Sequence, residues 1–145
     1  MDKFMRIAYE EAMQSRAEGG IPVGAVLVHQ DIVIGRGHNR RLQQGNPILH
    51  GEMDAIADAG RCPAEVYRSS VLYTTLAPCA MCSGAILLYG IPEVIVGEAV
   101  NFPGELALLR SRGVRVTVRN LPECIAMMKN YIAGHCEIWN EDIAR

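Results

Sequence analysis

Apolar residues recur at helical spacing through Phe4, Ile7, Ala8 and Ala12, with charged positions opposite, and predict an amphipathic helix over 3–18. Gly19-Gly20 ends it, since glycine accepts the left-handed cap conformation. The period then shortens. Residues 25–29 and 32–37 are β-branched runs divided by Gln30-Asp31, the pattern of a hairpin. Residues 39–47 read as polar loop, and a helix follows over about 50–59 with Gly60 beyond it. Strands are predicted at 71–75, 94–97 and 114–118, and helices at 79–89, 105–112 and 122–133. Pro78 suits the first position of its helix, and Gly90 ends that helix. In the tail, 135–145, Trp139 is the one strong feature. A hairpin followed by alternating helices and strands predicts an α/β fold: a central mixed sheet of about five strands, the helix-separated strands parallel neighbours, and helices on both faces. Without repeats, low-complexity segments or linkers, residues 1–145 read as a single domain.

Two short stretches carry chemistry: His50-Gly51-Glu52 and Pro78-Cys79-Ala80-Met81-Cys82. His50, Cys79 and Cys82 are candidate zinc ligands, and three protein ligands leave the fourth tetrahedral position for water, as in catalytic sites. Cys79 and Cys82 are three apart, so they share a helix face, and in a first turn the helix dipole favours thiolates. His50 and Glu52, two apart, face the same centre only if His50 sits at the helix start. Glu52 is superfluous as a ligand but well placed to move protons, and His/Cys/Cys zinc with a non-ligand Glu is the pattern of nucleobase deamination. Other readings exist: an ordinary pair of buried cysteines, or a structural zinc closed by Cys62, Cys124, Cys136 or His38.

Half of the 145 residues are apolar, enough for a sizeable core, and the formal net charge is −2. The basic runs are short and offset by acids, which argues against a nucleic-acid partner. No apolar run approaches the ~20 residues of a membrane span. The start reads as helix rather than signal peptide. Five cysteines, two in a metal-type pair, fit a reducing, cytoplasmic setting better than a disulfide framework.

With these residues in view, the chain resembles the zinc-dependent deaminases of the cytidine-deaminase-like group, and within them the fungal-type cytosine deaminases. The stretches that carry the resemblance are Leu49-His50-Gly51-Glu52, Gly35-Arg36-Gly37-His38-Asn39, Leu72-Tyr73-Thr74-Thr75-Leu76, Val100-Asn101-Phe102 and the tail from Trp139 to Ile143. The resemblance implies a three-layer α/β/α sandwich, a homodimer, one zinc per chain and hydrolysis of cytosine to uracil and ammonia by a zinc-bound hydroxide, with Glu52 as proton shuttle. It also implies that Asn39 bonds the pyrimidine edge, that Phe102 and Trp139 line or close the pocket, and that Asp142 bonds near the exocyclic amine. On their own chemistry Asn39 suits a turn, Phe102 the core, Trp139 a packing anchor and Asp142 a solvated acid.

Leu42 stands where the resemblance leads one to expect an aromatic pocket residue, and Val23 where one expects Ile; together they predict a roomier pocket. The rival readings are therefore a zinc deaminase of a purine base such as guanine, or of a nucleoside, and a non-catalytic zinc-stabilised scaffold.

Overall fold

Asp2 starts the first helix, its carboxylate accepting from the free N–H groups of Phe4 and Met5 at 3.0 and 2.9 Å. The computed structural model describes the whole chain, Met1–Arg145. Helix α1 (Lys3–Ala17) ends as expected just before Gly19, whose φ is +88°. Strands β1 (Gly24–His29) and β2 (Ile32–His38) form the hairpin, turning through Gln30 and Asp31 with both φ angles positive, the conformation that matches strand twist. Next come α2 (Arg41–Gln44), α3 (Gly51–Ala59), α4 (Ala64–Tyr67) and β3 (Ser70–Thr74). Then follow α5 (Ala80–Tyr89), β4 (Glu93–Val96), α6 (Leu106–Ser111), β5 (Arg115–Val118), α7 (Pro122–Gly134) and α8 (Cys136–Asp142).

The five strands lie in the order β2-β1-β3-β4-β5. β1 is antiparallel to both neighbours, while β3, β4 and β5 are parallel. The expectation of parallel neighbours thus holds for the last three strands but not for β2 and β3. The hairpin folds back so that β1 lies between them, and β2 and β3 run the same way without touching.

Alternation along the strands divides the core between two faces. Ala25 and Leu27 of β1, Leu72 of β3, and Val94 and Val96 of β4 pack with Ala55 of α3, Ile86 of α5 and Leu109 of α6. Val26, Val28 and Ile95 point the other way, onto Met5 and Ala8 of α1. Helix α7 lies beside α1, with the Arg16 guanidinium over the Tyr131 ring at 4.9 Å. Helices on both faces of a mixed five-stranded sheet make the expected three-layer α/β/α sandwich.

Three elements depart from the sequence reading. α2 lies within the stretch expected to be loop, α4 precedes β3, and the tail forms α8. The first two are single turns of four residues, too short for a periodic signal. α8 shows no signal of its own because its apolar face, with Trp139, is explained only by the Ile21, Val23, Leu76, Met128 and Tyr131 cluster it covers. Pro78 is a smaller correction: Cys79 is the N-cap of α5, so Pro78 lies just outside the helix rather than at its first position.

Candidate active site

The starts of α3 and α5 meet beyond the C-terminal ends of the central strands, where open α/β sheets place their ligands. His50 is the N-cap of α3, with extended backbone (φ −69°, ψ 162°), and Cys79 caps α5 in the same way (φ −70°, ψ 179°). An N-cap lies outside the helical geometry, so its side chain is free of the 100° rotation that separates neighbours along a helix. His50 and Glu52 can therefore face one point despite being two apart. Gly51 permits the approach: a Cβ there would lie 2.9 Å from the Val23 carbonyl oxygen.

His50 Nδ1 lies 3.4 Å from Cys79 Sγ and 3.8 Å from Cys82 Sγ. The three ligand atoms all fall within 4.8 Å of one another. Ligand bonds of ~2.0–2.1 Å to nitrogen and ~2.3 Å to sulfur, at tetrahedral angles, require an N···S separation of about 3.6 Å, which the two distances bracket. The donor set and its spacing fit zinc. The ordinary-cysteine reading fails on this geometry, and so does closure by His38. That imidazole is buried elsewhere, with Nδ1 2.8 Å from Glu11 Oε1 and Nε2 2.8 Å from Glu18 Oε1. The metal-compatible group comprises His50, Cys79 and Cys82, without Cys62, Cys124 or Cys136.

Electrostatics bear on the same point. The Cys79 thiol is brought down to about 4, first by the Cys82 S–H donating to it, with burial opposing and His50 reinforcing. Cys82 is pushed up for the complementary reason, as the partner that keeps the proton. Burial lowers the His50 pKa, but Asp142 and Cys79 outweigh it and carry His50 to about 10. Without metal the cluster therefore holds protons that zinc displaces on binding.

Glu52 follows His50 into the same space. It is 3 % exposed, and burial, reinforced by the Cys79 thiolate, raises its pKa to about 7. Its Oε1 is buried without a hydrogen-bond partner. Asn39, Asp142, Phe102 and Trp139 join it around one cavity, whose wall also includes Val23, Leu76, Ala77 and Ile143. Asn39 is 1 % exposed and its Nδ2 donates to Asp142 Oδ2 at 3.2 Å, while its Oδ1 accepts from the Arg41 N–H at 2.9 Å. Asp142 is 8 % exposed, so it is no solvated end-of-chain acid. Its Oδ1 lies 3.1 Å from His50 Nε2 without the alignment of a hydrogen bond, which leaves that oxygen able to accept elsewhere. A carboxylate beside the far nitrogen of a metal-binding imidazole favours the tautomer that carries its proton there. Phe102 and Trp139 meet edge to face in the cavity wall, ring centroids 5.7 Å apart.

Every site residue expected from the sequence thus lies in one place. Leu42 does not. It is 40 % exposed on α2, outside the cavity wall, so of the two residues expected to enlarge the pocket only Val23 lines it. Other contributors escaped the sequence reading. Arg41 joins Glu141 at 3.1 Å, tying α2 to α8 beside the mouth. Ser15 and Gln43 both donate to the Asn39 carbonyl. These contacts join segments remote in the chain, and nothing local announces them.

A zinc-type donor set at two helix starts, with a buried carboxylate beside it in a three-layer α/β/α fold, defines a zinc-dependent hydrolytic deaminase. The chain belongs to the cytidine and deoxycytidylate deaminase family, whose zinc-binding region matches residues 1–98. It is 48 % identical to the cytosine deaminase of Candida albicans over 142 residues, 97 % of this chain and 95 % of that one. A tRNA-specific adenosine deaminase of Streptococcus pyogenes is 44 % identical over 98 residues, 66 % of this chain and 61 % of its own. In fold, the chain is similar to the guanine deaminase from Nitrosomonas europaea, with a TM-score of 0.72 and 23 % identity over 90 % of this chain and 83 % of that one.

Proposed function

We propose that this enzyme hydrolyses cytosine to uracil and ammonia. The observation that carries the proposal is one cavity with Glu52, His50 and Cys79 in its wall, Cys82 completing the metal-compatible group, and two aromatic rings, Phe102 and Trp139, in the same wall. Such a space suits a planar free base. The likeness to the Candida albicans cytosine deaminase supports this choice, because it extends over the part of the chain that supplies Phe102 and Trp139. With Leu42 outside the cavity, little remains to argue for a purine. A scaffold role leaves Glu52 without a reason, since burying a carboxylate oxygen with no partner costs free energy and adds nothing to a fold.

His50, Cys79 and Cys82 would hold zinc, which when bound supplies an activated water and Lewis-acid polarisation. The chain's own residues do the rest. Asn39, held by Arg41 and Asp142, presents its amide to the pyrimidine edge. Phe102 and Trp139 close over the ring and exclude bulk water, which strengthens the electrostatics inside. Glu52 takes the proton of the attacking water and delivers it to the ring nitrogen. The proton of the added hydroxyl then passes through Glu52 to the amine; the C–N bond breaks as the carbonyl forms, and ammonia leaves while Asp142 Oδ1 accepts from its N–H. The raised pKa of Glu52 suits a group that must both take and give protons.

The test is kcat/KM for cytosine, cytidine, guanine and adenine. Cytosine is expected to exceed cytidine about a hundredfold, because a ribose on the ring must pass through the aromatic cover, and a misfit at a reacting centre costs about that much. A higher value for any of the other three overturns the cytosine reading.

We further propose a single deaminase domain over 1–145, acting as a homodimer in the cytoplasm within pyrimidine salvage. Helix α5 carries no charged residue, and Ala80, Gly84 and Leu88 lie exposed on one face at four-residue spacing, Leu88 being 76 % exposed. Such a face suits close approach of a second copy. Sedimentation is expected to give twice the one-chain mass, and Gly84→Arg to give one-chain mass with zinc retained. A wild-type monomer at micromolar concentration refutes the dimer. The five free cysteines, all but Cys136 within protein contacts or the metal cluster, suit a reducing compartment.

A further inference from the structure

Glu98 is fully buried, and the mechanism above makes no use of it. A buried carboxylate is rare unless its charge is met. Here backbone and amide donors meet it. Oε2 accepts from the N–H groups of Val100 and Asn101 at 2.7 and 2.9 Å, and Oε1 accepts from Asn101 Nδ2 at 2.8 Å. All three donors belong to the segment that carries Phe102. Asn101 Nδ2 also donates to the Ile125 carbonyl at 3.0 Å, anchoring the segment to α7. The far end is pinned as well. The Glu105 N–H donates to the Pro78 carbonyl at 2.9 Å, and a Cβ on Gly104, whose φ is +58°, would meet that same oxygen at 2.5 Å. The Glu98 carbonyl in turn accepts from the Ala77 N–H at 3.0 Å, two residues before Cys79.

Phe102 thus sits on a short strap tied at both ends to the strand and loop that deliver the zinc ligands. We propose that Glu98 is a positioning residue: it curls the strap so that Phe102 meets Trp139 over the base, and so sets the height of the cover above the metal cluster. This rests on the reading that the cover lies over a bound base. The carboxylate is needed because every neighbour it faces is a donor. A glutamine there turns its NH₂ toward one of them, and at least one bond is lost.

Trp139 is the chain's single tryptophan, so its fluorescence reports the cover directly, without turnover. The experiment measures acrylamide quenching, zinc content, and kcat and KM for cytosine in the zinc-loaded wild type, Glu98→Gln, Asn101→Ala, Phe102→Ala and the Glu98→Gln/Phe102→Ala double variant. Glu98→Gln and Asn101→Ala are expected to expose Trp139 toward the level of Phe102→Ala. They are also expected to keep zinc, to lower kcat/KM for cytosine about tenfold, mostly through KM, and to narrow the preference over cytidine. The double variant is expected to match Phe102→Ala alone, because Glu98 acts through Phe102. Unchanged quenching in both single variants, or full additivity in the double variant, overturns the proposal. If Glu98→Gln does not fold, Asn101→Ala carries the test from the other side of the same bond. Quenching decides the positioning role even if cytosine is not the substrate, a failure that shows separately as absent turnover in the wild type.

Discussion

Replacing Glu52 with glutamine is expected to reduce turnover by about 10²–10⁴-fold, towards the upper end because one residue serves several proton transfers. Zinc is expected to stay bound, since the metal-compatible cluster consists of His50, Cys79 and Cys82. Glutamine keeps the shape of the side chain and removes the base. It also removes an unusual liability, a carboxylate 3 % exposed with an oxygen that has no partner. The fold should therefore lose nothing. The melting temperature of Glu52→Gln is expected to equal or exceed that of the wild type, the trade between stability and activity that marks a functional group held in an uncomfortable place. Rate, metal content and melting temperature measured on one preparation make the check. A variant keeping more than about a tenth of the wild-type rate shows that the proton transfers run through another group.

That Glu52 could be singled out from the sequence is no accident of this chain. Metal ligation and proton transfer impose residue types at short spacings: a helix start lets His50 face the same point as Glu52, and Cys79 lies at the start of α5 three residues before Cys82. The condition that His50 sit at a helix start was itself legible, and it holds. The sheet was legible for the same local reason: β-branched runs and turn residues mark each strand, and a helix between strands forces a crossover. What escaped is what depends on remote partners. The Asn39–Asp142 bond spans 103 residues of sequence, and neither residue type demands the other. α8 forms because the core behind Trp139 needs a cover, not because its residues repeat with helical period. Glu98 was invisible because a glutamate beside a loop is ordinarily solvated, and only the fold shows that its three donors come from the strap carrying Phe102. Leu42 is the opposite case. Its neighbourhood in sequence resembles a pocket wall, but the single turn of α2 carries it outward.

Removing one zinc ligand is expected to have the larger effect. Cys82→Ala should leave less than a tenth of the wild-type metal and lower turnover by at least about 10⁴-fold, since enzyme rate enhancements of ~10⁶ or more lose most of their source with the activated water. Cys82 is fully buried as the third residue of α5, in its first turn, and no other cysteine or histidine is near enough to replace it. Zinc also ties the start of α3 to the start of α5, so its binding free energy is partly folding free energy. The melting temperature should fall both in Cys82→Ala and in wild type treated with a chelator, and added zinc should restore only the wild type. Acid should act as the chelator does, because protons compete with the metal for His50 and the two thiolates, so zinc is lost as pH falls. A Cys82→Ala protein that holds one zinc per chain and still releases ammonia from cytosine would place the reacting centre elsewhere in the molecule, and the cavity between Asn39, Glu52 and Trp139 would need another explanation.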